Sequence, residues 1–424
     1  MRKWIVLPLL LASLAGCLGG EEEAPSQEAA APAGDTPLHV QELLPASSAA
    51  ANDAVLPLWD ALANATDGAA ATVTVTGDPA FLLAADPRNG MTDFELELVP
   101  SSLLTNETWL EVDGVRYDMP DIRVYEGHVV GDETAAARLT VTPEWARGTV
   151  RLDDVSYRIR VNMDGNFPIG MELRDGYEGG DEAGYHPALA APAPFTFDKD
   201  GQMPHDCLSP VPDTASPQMN VLGASGNDVL TARIILDADA LYAQTLGHDT
   251  FPMMVAMLAE VDAIYDHQMA LRYQIMGLHV HTTPDAMSAP ADAAPLGDLS
   301  EYWNARSDLR DMVHLYTGHP SSYAQANCIG GAGMPDLAYT FTTIHWASES
   351  SGKMRHEQTY AHELGHILNA HHHYGNPLEG GLSTTVMHQG GEKVHPVFSW
   401  ASKSVIRGWA ETHLGQHDPA PESA

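Results

Sequence analysis

Two textures of apolar and polar positions divide this chain. From about Leu38 to Gly180 the apolar residues recur in short runs with period two, the mark of half-buried strands. Thr72-Val73-Thr74-Val75-Thr76 is β-branched throughout, and Phe94-Glu95-Leu96-Glu97-Leu98 alternates strictly. The same pattern returns at Ile122–Tyr125, Gly148–Leu152 and Ser156–Arg160, with Gly and Asp turns between runs. This predicts a mainly-β module, and no catalytic constellation falls within it.

From Leu230 the pattern alternates between strands and helices. Strands are predicted at Ala232–Leu236, Leu271–Ile275, Leu278–Val280, Met312–Tyr316 and Leu337–Phe341. A helix is predicted over Met254–Gln268, with Leu258, Val261, Ile264 and Tyr265 on one face. A second covers Glu357–Leu368, and a third runs from about Ala401 to Leu414 with Ser399 as its N-cap. Strands interleaved with long helices make this half α/β. Between the halves, residues 181–227 are rich in Ala, Pro, Asp and Ser and read as a linker.

Composition adds three constraints. A length of 424 residues exceeds one ordinary domain, and 44% hydrophobic residues suffice for packed cores. A formal net charge of −36, from 57 acids against 21 Lys+Arg, repels nucleic acid, whose affinity rests on cationic contacts to phosphate. Such a surface keeps a protein soluble at high salt, and it also favours cationic substrates.

The N-terminus reads as a targeting segment. Arg2 and Lys3 precede an apolar run, Trp4–Leu14, which is too short for a membrane span. The run ends in Leu14-Ala15-Gly16-Cys17, which resembles a prokaryotic lipobox, with Cys17 as the lipidated residue. The Glu-, Ala- and Pro-rich stretch after it reads as a flexible tether. The chain is therefore expected outside the cell, anchored by lipid to the membrane's outer face. There the milieu is oxidising and leaves Cys207 and Cys328 free to pair.

The chemistry is concentrated at His362-Glu363-Leu364-Gly365-His366. On a helix, positions i and i+4 share a face, so His362 and His366 can reach one ion. Neutral imidazole is a good zinc ligand, and Glu363 beside it can serve as general base toward a water. A third ligand needs the chain to break and turn back, which calls for a residue tolerant of positive φ. Asn369 stands where that turn is needed, and His371, His372 and His373 follow it. By residue type any of these three can coordinate.

The whole segment, His362-Glu363-x-x-His366-x-x-Asn369-x-x-His372, resembles the metzincin signature, with Asn369 in the place usually held by Gly. That spacing selects His372 as third ligand to one catalytic Zn2+. Metzincins carry a methionine turn beneath the metal, and Thr385-Val386-Met387-His388 matches it, although a simple core Met is the plainer reading of Met387. Asp311–Gly318, Leu337-Ala338-Tyr339 and Phe398–Ser402 with the following Val405-Ile406 are similar to parts of the reprolysin (adamalysin) group. The resemblance implies that Ala338 and Tyr339 lie on the edge strand that pairs with an extended substrate. Tyr125–Gly131 and Gly148–Ile159 resemble the reprolysin propeptide. Three features depart from the group. His373 stands where Asp is usual, the several disulfides are missing, and Gln389 replaces the Tyr of astacin- and serralysin-like branches.

The expected architecture follows. It has a signal peptide at 1–17, a tether at 18–37, a mainly-β propeptide-like domain at 38–180 and a linker at 181–227. A zincin-like α/β (α+β) metzincin catalytic domain with a mixed sheet and an active-site helix covers 228–416, followed by a tail at 417–424. The resemblance implies an endopeptidase acting on extracellular polypeptides through a metal-activated water. An amidase or exopeptidase on cell-surface peptides is the alternative. A non-catalytic zinc-binding surface module is a third reading, which the presence of Glu363 disfavours. Cys207 either pairs with Cys328 or, as the resemblance implies, acts as a propeptide cysteine that blocks the zinc.

Overall fold

The computed structural model describes residues 40–44, 53–63, 65, 69–79, 92–152, 155–162, 229–283, 296–318, 324–343, 356–372, 385–387 and 397–414. The leader with Cys17, the tether, the linker with Cys207 and the tail lie outside the described residues, as do His373, His388 and Gln389.

The first half contains a closed antiparallel barrel of strands β1 (Ala71–Pro79), β2 (Thr92–Pro100), β5 (Arg123–Val129), β6 (Asp132–Val141), β7 (Ala146–Leu152) and β8 (Val155–Val161). The period-two pattern sends Val73, Val75, Phe94, Leu96 and Leu98 to one core, together with Leu139, Val150, Tyr157 and Ile159. Helix α2 (Leu56–Ala63), after the single-turn α1 (Val40–Leu43), joins that core through Leu58 and Leu62. Its last turn is tied by Tyr125, whose hydroxyl donates to Leu62 O at 3.2 Å.

The second half is built on a seven-stranded sheet, ordered β12-β13-β11-β9-β10-β3-β4. Its strands are β9 (Leu230–Ala238), β10 (Leu271–Val280), β11 (Met312–Thr317), β12 (Gln325–Ala326) and β13 (Tyr339–Thr343), joined by the hairpin β3 (Trp109–Val112) and β4 (Val115–Tyr117). The five strands from β13 to β3 are parallel, whereas β12 and β4 are antiparallel to their neighbours. Helices α3 (Ala240–Leu246), α4 (Thr250–Met269), α5 (Leu296–Asn304), α6 (His356–Ile367) and α7 (Trp400–His413) complete it. Ser399 caps α7, its hydroxyl accepting from Ser402 N at 3.1 Å, as the sequence predicts.

Two features differ from the sequence expectation. The hairpin at 109–117 belongs to the first half in sequence but to the second sheet in hydrogen bonding. Trp109 pairs with Gly277, and its indole fills the space over that glycine, where a Cβ would lie 2.2 Å from a ring carbon. Leu110, Val112, Val124 and Trp145 thereby enter the same apolar core as β9, β10 and α4.

The second difference concerns α4. A one-sided apolar stripe predicts a helix half open to water, yet nearly every residue of α4 is buried, Glu260 and Asp262 included. A helix enclosed all round lies between layers, here the sheet, the barrel and α6. Its acids are met by barrel arginines that point out of the barrel. Arg147 holds Glu260 with two hydrogen bonds of 2.6 and 3.1 Å. Arg138 reaches Asp262 at 2.9 Å and Asp266 at 2.5 Å. Trp145 donates from Nε1 to Asp249 at 2.8 Å. Removing one partner of such a pair strands a buried charge, at a cost of about 3–5 kcal/mol.

A core and a sheet shared by both halves predict that cutting between them does not separate them. With a protease recognition sequence inserted between positions 195 and 200, the cleaved and thiol-reduced protein should elute as one species in size exclusion. It should come apart only in denaturant. Two native peaks would show that the halves are independent domains.

Candidate metal centre

Helix α6 carries His362 and His366 one turn apart, both buried. Its end is set by Asn369, which adopts φ 72°, the left-handed conformation anticipated for the turn. Asn369 N donates to His366 O at 2.8 Å and Ala370 N to Gly365 O at 2.8 Å, closing the last turn. A loop from β12 caps the remaining carbonyls. Gly330 N donates to His366 O at 2.9 Å and Ala332 N to Ile367 O at 3.0 Å. After this reversal His372 meets the first two histidines. The three Nε2 atoms lie 3.1, 3.1 and 2.9 Å apart. His371 is exposed and stands outside this trio.

On two of these rings the proton is accounted for by the outer nitrogen. His362 Nδ1–H donates to Val386 O at 2.6 Å and His366 Nδ1–H to Ala370 O at 2.7 Å. The inner nitrogens of His362 and His366 are therefore lone pairs that face each other, an arrangement that repels unless a positive charge sits beside them. Burial, then the neighbouring His362 and His372, hold the pKa of His366 well below its ordinary value, so it stays a neutral ligand. A zinc ion fits this set, which offers three converging imidazoles, two of them with their tautomers fixed from behind.

Glu363, next to His362, is 3% exposed. Burial raises its carboxyl to about 8, opposed by a hydrogen bond from the Ala326 backbone N–H. Its Oε2 has no hydrogen-bond partner among the described residues. A buried carboxyl with one oxygen unsatisfied, beside three converging imidazoles, is a group placed to accept and return a proton.

Met387 lies fully buried in the turn 385–387. A Cβ on Gly365 would stand 2.5 Å from its sulfur, so the glycine of the motif is what lets Met387 pack against the helix. The same turn supplies Val386 O to His362, and it is tied down by Val386 N donating to Val397 O at 2.9 Å. Cys328 is buried and disulfide-bonded, and it sits at the start of the loop that caps α6.

The structure corrects one set of residues. Ala338 and Tyr339 are not on an edge. Val313 N donates to Ala338 O and Asn327 N to Tyr339 O, each at 2.8 Å, so the backbone there is paired on both sides. The Tyr339 side chain joins the core under α5, its hydroxyl bonded to Asn304. The edge on this side of the sheet, among the described residues, is β12, a two-residue strand too short to register as a periodic pattern. Ala326 of that strand is the donor to Glu363. The sequence reading also passes over Asp237, His279 and His281, a second buried group whose ligand atoms lie within 4.8 Å of one another. The alternation His279-Val280-His281 at a strand end is the signal that marks it.

Comparison with known proteins gives one family. Residues 230–387, from the start of β9 to Met387, match the model Reprolysin_5, metallo-peptidase family M12. No curated protein matches the chain. Among solved structures, metalloproteinase-II from Bacteroides fragilis is similar at 11% identity and TM-score 0.42, over 86% of this chain and 96% of that one. A chaperone–substrate complex is similar at 16% identity and TM-score 0.32, over 44% of this chain and 34% of that one.

Two measurements follow from this geometry. Gly365→Ala should destabilise the protein by about 1–3 kcal/mol through overpacking against Met387. Adding Met387→Ala should recover part of that loss in a double-mutant cycle of urea unfolding, and strict additivity would show that the two residues do not touch. The second concerns pH. In metal-free protein the folded chain keeps the Glu363 proton up to about 8, whereas the unfolded chain releases it near the ordinary glutamate value. Stability contributed by this group is thus greatest at low pH and falls as pH rises through that window. Between about pH 5 and about pH 8 the wild type should lose roughly 2–4 kcal/mol more than Glu363→Gln. Equal losses would mean that the carboxyl is not held protonated.

Proposed function

We propose that this metallopeptidase, a hydrolase of peptide bonds, is a zinc-dependent endopeptidase of the reprolysin-like metzincin type. The observation that carries this reading is the convergence of His362, His366 and His372 beside buried Glu363. These three histidines would hold the zinc ion. When bound, zinc supplies Lewis acidity, which acidifies a water and polarises a carbonyl.

The remaining work falls to the protein's own groups. Glu363 takes the proton of the attacking water and delivers it to the leaving amine. Burial keeps its proton affinity high, which suits a group that must hold a proton between the two transfers. Val386 O and Ala370 O hold the His362 and His366 rings in the tautomer that presents Nε2. Met387 and Gly365 set the height of the helix against the turn beneath it. Among the described residues β12 is the strand at this edge of the sheet and it lies next to Glu363, a placement that suits an extended polypeptide laid along it and supports internal cleavage over removal of single terminal residues.

The same reading places the enzyme outside the cell, held by a lipid on Cys17, with the first half as its propeptide-like module. The disulfide at Cys328 supports an oxidising compartment. With Cys17 lipidated, Cys207 is the partner we assign to it, and a cysteine so engaged does not block the zinc.

Purified protein supplied with zinc and an unfolded polypeptide should yield internal fragments by mass spectrometry. Glu363→Gln should lose about 10²–10⁴-fold in kcat while still binding zinc. Terminal trimming alone would favour the exopeptidase reading, and full activity in the variant would refute the mechanism.

A further inference from the structure

A second group of metal-ligating side chains lies in the same sheet, on the face covered by α5. Asp237 of β9 sits directly across from His279 of β10 in the parallel register, and His281 follows two residues on, just past the strand end. Their exposures are 0%, 0% and 3%. Around them is an apolar layer that includes Ile235, Met276, Leu299 and Trp303.

A carboxylate at zero exposure needs a compensating positive charge. Elsewhere in this region the compensation is a guanidinium. Arg306 grips Glu111 at 2.6 and 3.0 Å and Asp308 at 2.7 Å. Burial would raise the Glu111 carboxyl, but Arg306 outweighs it and holds the pKa below the ordinary value. Among the described residues no Arg or Lys reaches Asp237. Its neighbours are His279 Nδ1 at 2.8 Å, His281 Nε2 at 3.3 Å, Trp303 Nε1 at 2.7 Å and its own chain through Ala238 N at 2.9 Å. The missing charge is either a proton on an imidazole or a metal ion.

The arrangement favours the ion. One protonated imidazole would neutralise Asp237 and leave the second ring as a plain hydrogen-bond donor, whereas a metal ion uses both ring nitrogens and the carboxylate together. Asp237 Oδ1 lies 2.8 Å from one nitrogen and 3.3 Å from the other. With bonds of about 2.1 Å to a shared ion, those separations correspond to angles of about 85° and about 105°. The outer nitrogen of His279 is backed by the Tyr302 hydroxyl at 3.0 Å and by Glu111 at 3.5 Å, the support that orients a ligating imidazole. Trp303 and Ala238 N fix the carboxylate in turn.

We propose that Asp237, His279 and His281 form a second metal site, for a divalent transition metal such as zinc, that ties β9 to β10 beneath α5. Two nitrogens and one oxygen suit zinc and its neighbours rather than calcium or magnesium. The ion enters during folding, since the site is closed in the folded chain, and its binding energy adds to stability. This site stands apart from the catalytic histidines, on the other face of the sheet from α6, and the proposal does not depend on them.

The test is zinc content per chain after saturation with Zn2+ and removal of loose metal, by plasma mass spectrometry. Wild type should hold about two ions, His362→Ala/His366→Ala about one, and His281→Ala about one. If the first double variant holds none, the proposal is overturned and Asp237 is neutralised by a proton. If His281→Ala fails to fold, the double variant alone decides, read also by the absorption of Co2+ bound in place of zinc. One ion in the wild type that the double variant keeps would uphold this site and sink the catalytic assignment. One ion that the double variant loses would do the reverse.

Discussion

Everything about the chemistry of the α6 site depends on three imidazole nitrogens being forced together, within about the distance of a hydrogen bond. Left alone, those of His362 and His366 repel. Two of them come without extra cost from the periodicity of a helix. The third, His372, lies beyond the end of α6 at Ile367 and is not brought in by the helix's own period. It arrives because Asn369 takes a left-handed conformation, a strained position for most residues and a tolerable one for asparagine. The strain is held by backbone hydrogen bonds from the 328–333 loop to the last carbonyls of α6, and that loop begins at the disulfide-bonded Cys328.

A helix that must hold such an arrangement cannot be loosely packed. Tyr265 of α4 donates its hydroxyl to Ala361 O at 2.7 Å, and Tyr360 stacks on His314 of β11 with ring centroids 3.6 Å apart. The helix α4 that braces α6 is itself braced from behind by the barrel arginines. Buried ion pairs of this kind contribute little net stability over apolar packing, but they tolerate only one alignment. The barrel therefore fixes where α4 lies, α4 fixes α6, and the first half of the chain is coupled to the ligands without touching them.

The parts of this design that are local are legible in the sequence. Ligand spacing on α6, the turn at Asn369, the N-cap at Ser399 and the alternation of the barrel strands each follow from residues within a few positions of one another. What depends on distant pairing is not legible. Nothing near Trp109 announces that it will pair with Gly277. Edge and interior strands differ in hydrogen bonding and not in composition when both are short, and so 337–339 reads as an edge although β12 occupies it. The burial of Glu260 and Asp262 is hidden because their partners, Arg147 and Arg138, lie more than a hundred residues away. Helices α3 and α5 are too short for a period to establish itself.

Charge is where the two scales meet. Of only 21 Lys+Arg in the whole chain, Arg138, Arg147, Arg151, Arg158, Arg233 and Arg310 are buried. Among the described residues Glu111, Asp237, Asp239, Glu260, Asp262, Asp311 and Glu363 are buried as well, so the interior charges nearly balance and the chain's negative excess is carried outside the core. Surface repulsion between carboxylates is screened by salt within a Debye length, whereas enclosed pairs are screened much less. The interior ties between barrel and sheet are therefore insensitive to ionic strength, while the repulsion that opposes compaction fades as salt rises. A molecule so arranged gains stability from salt at its surface without losing the contacts that align its metal ligands.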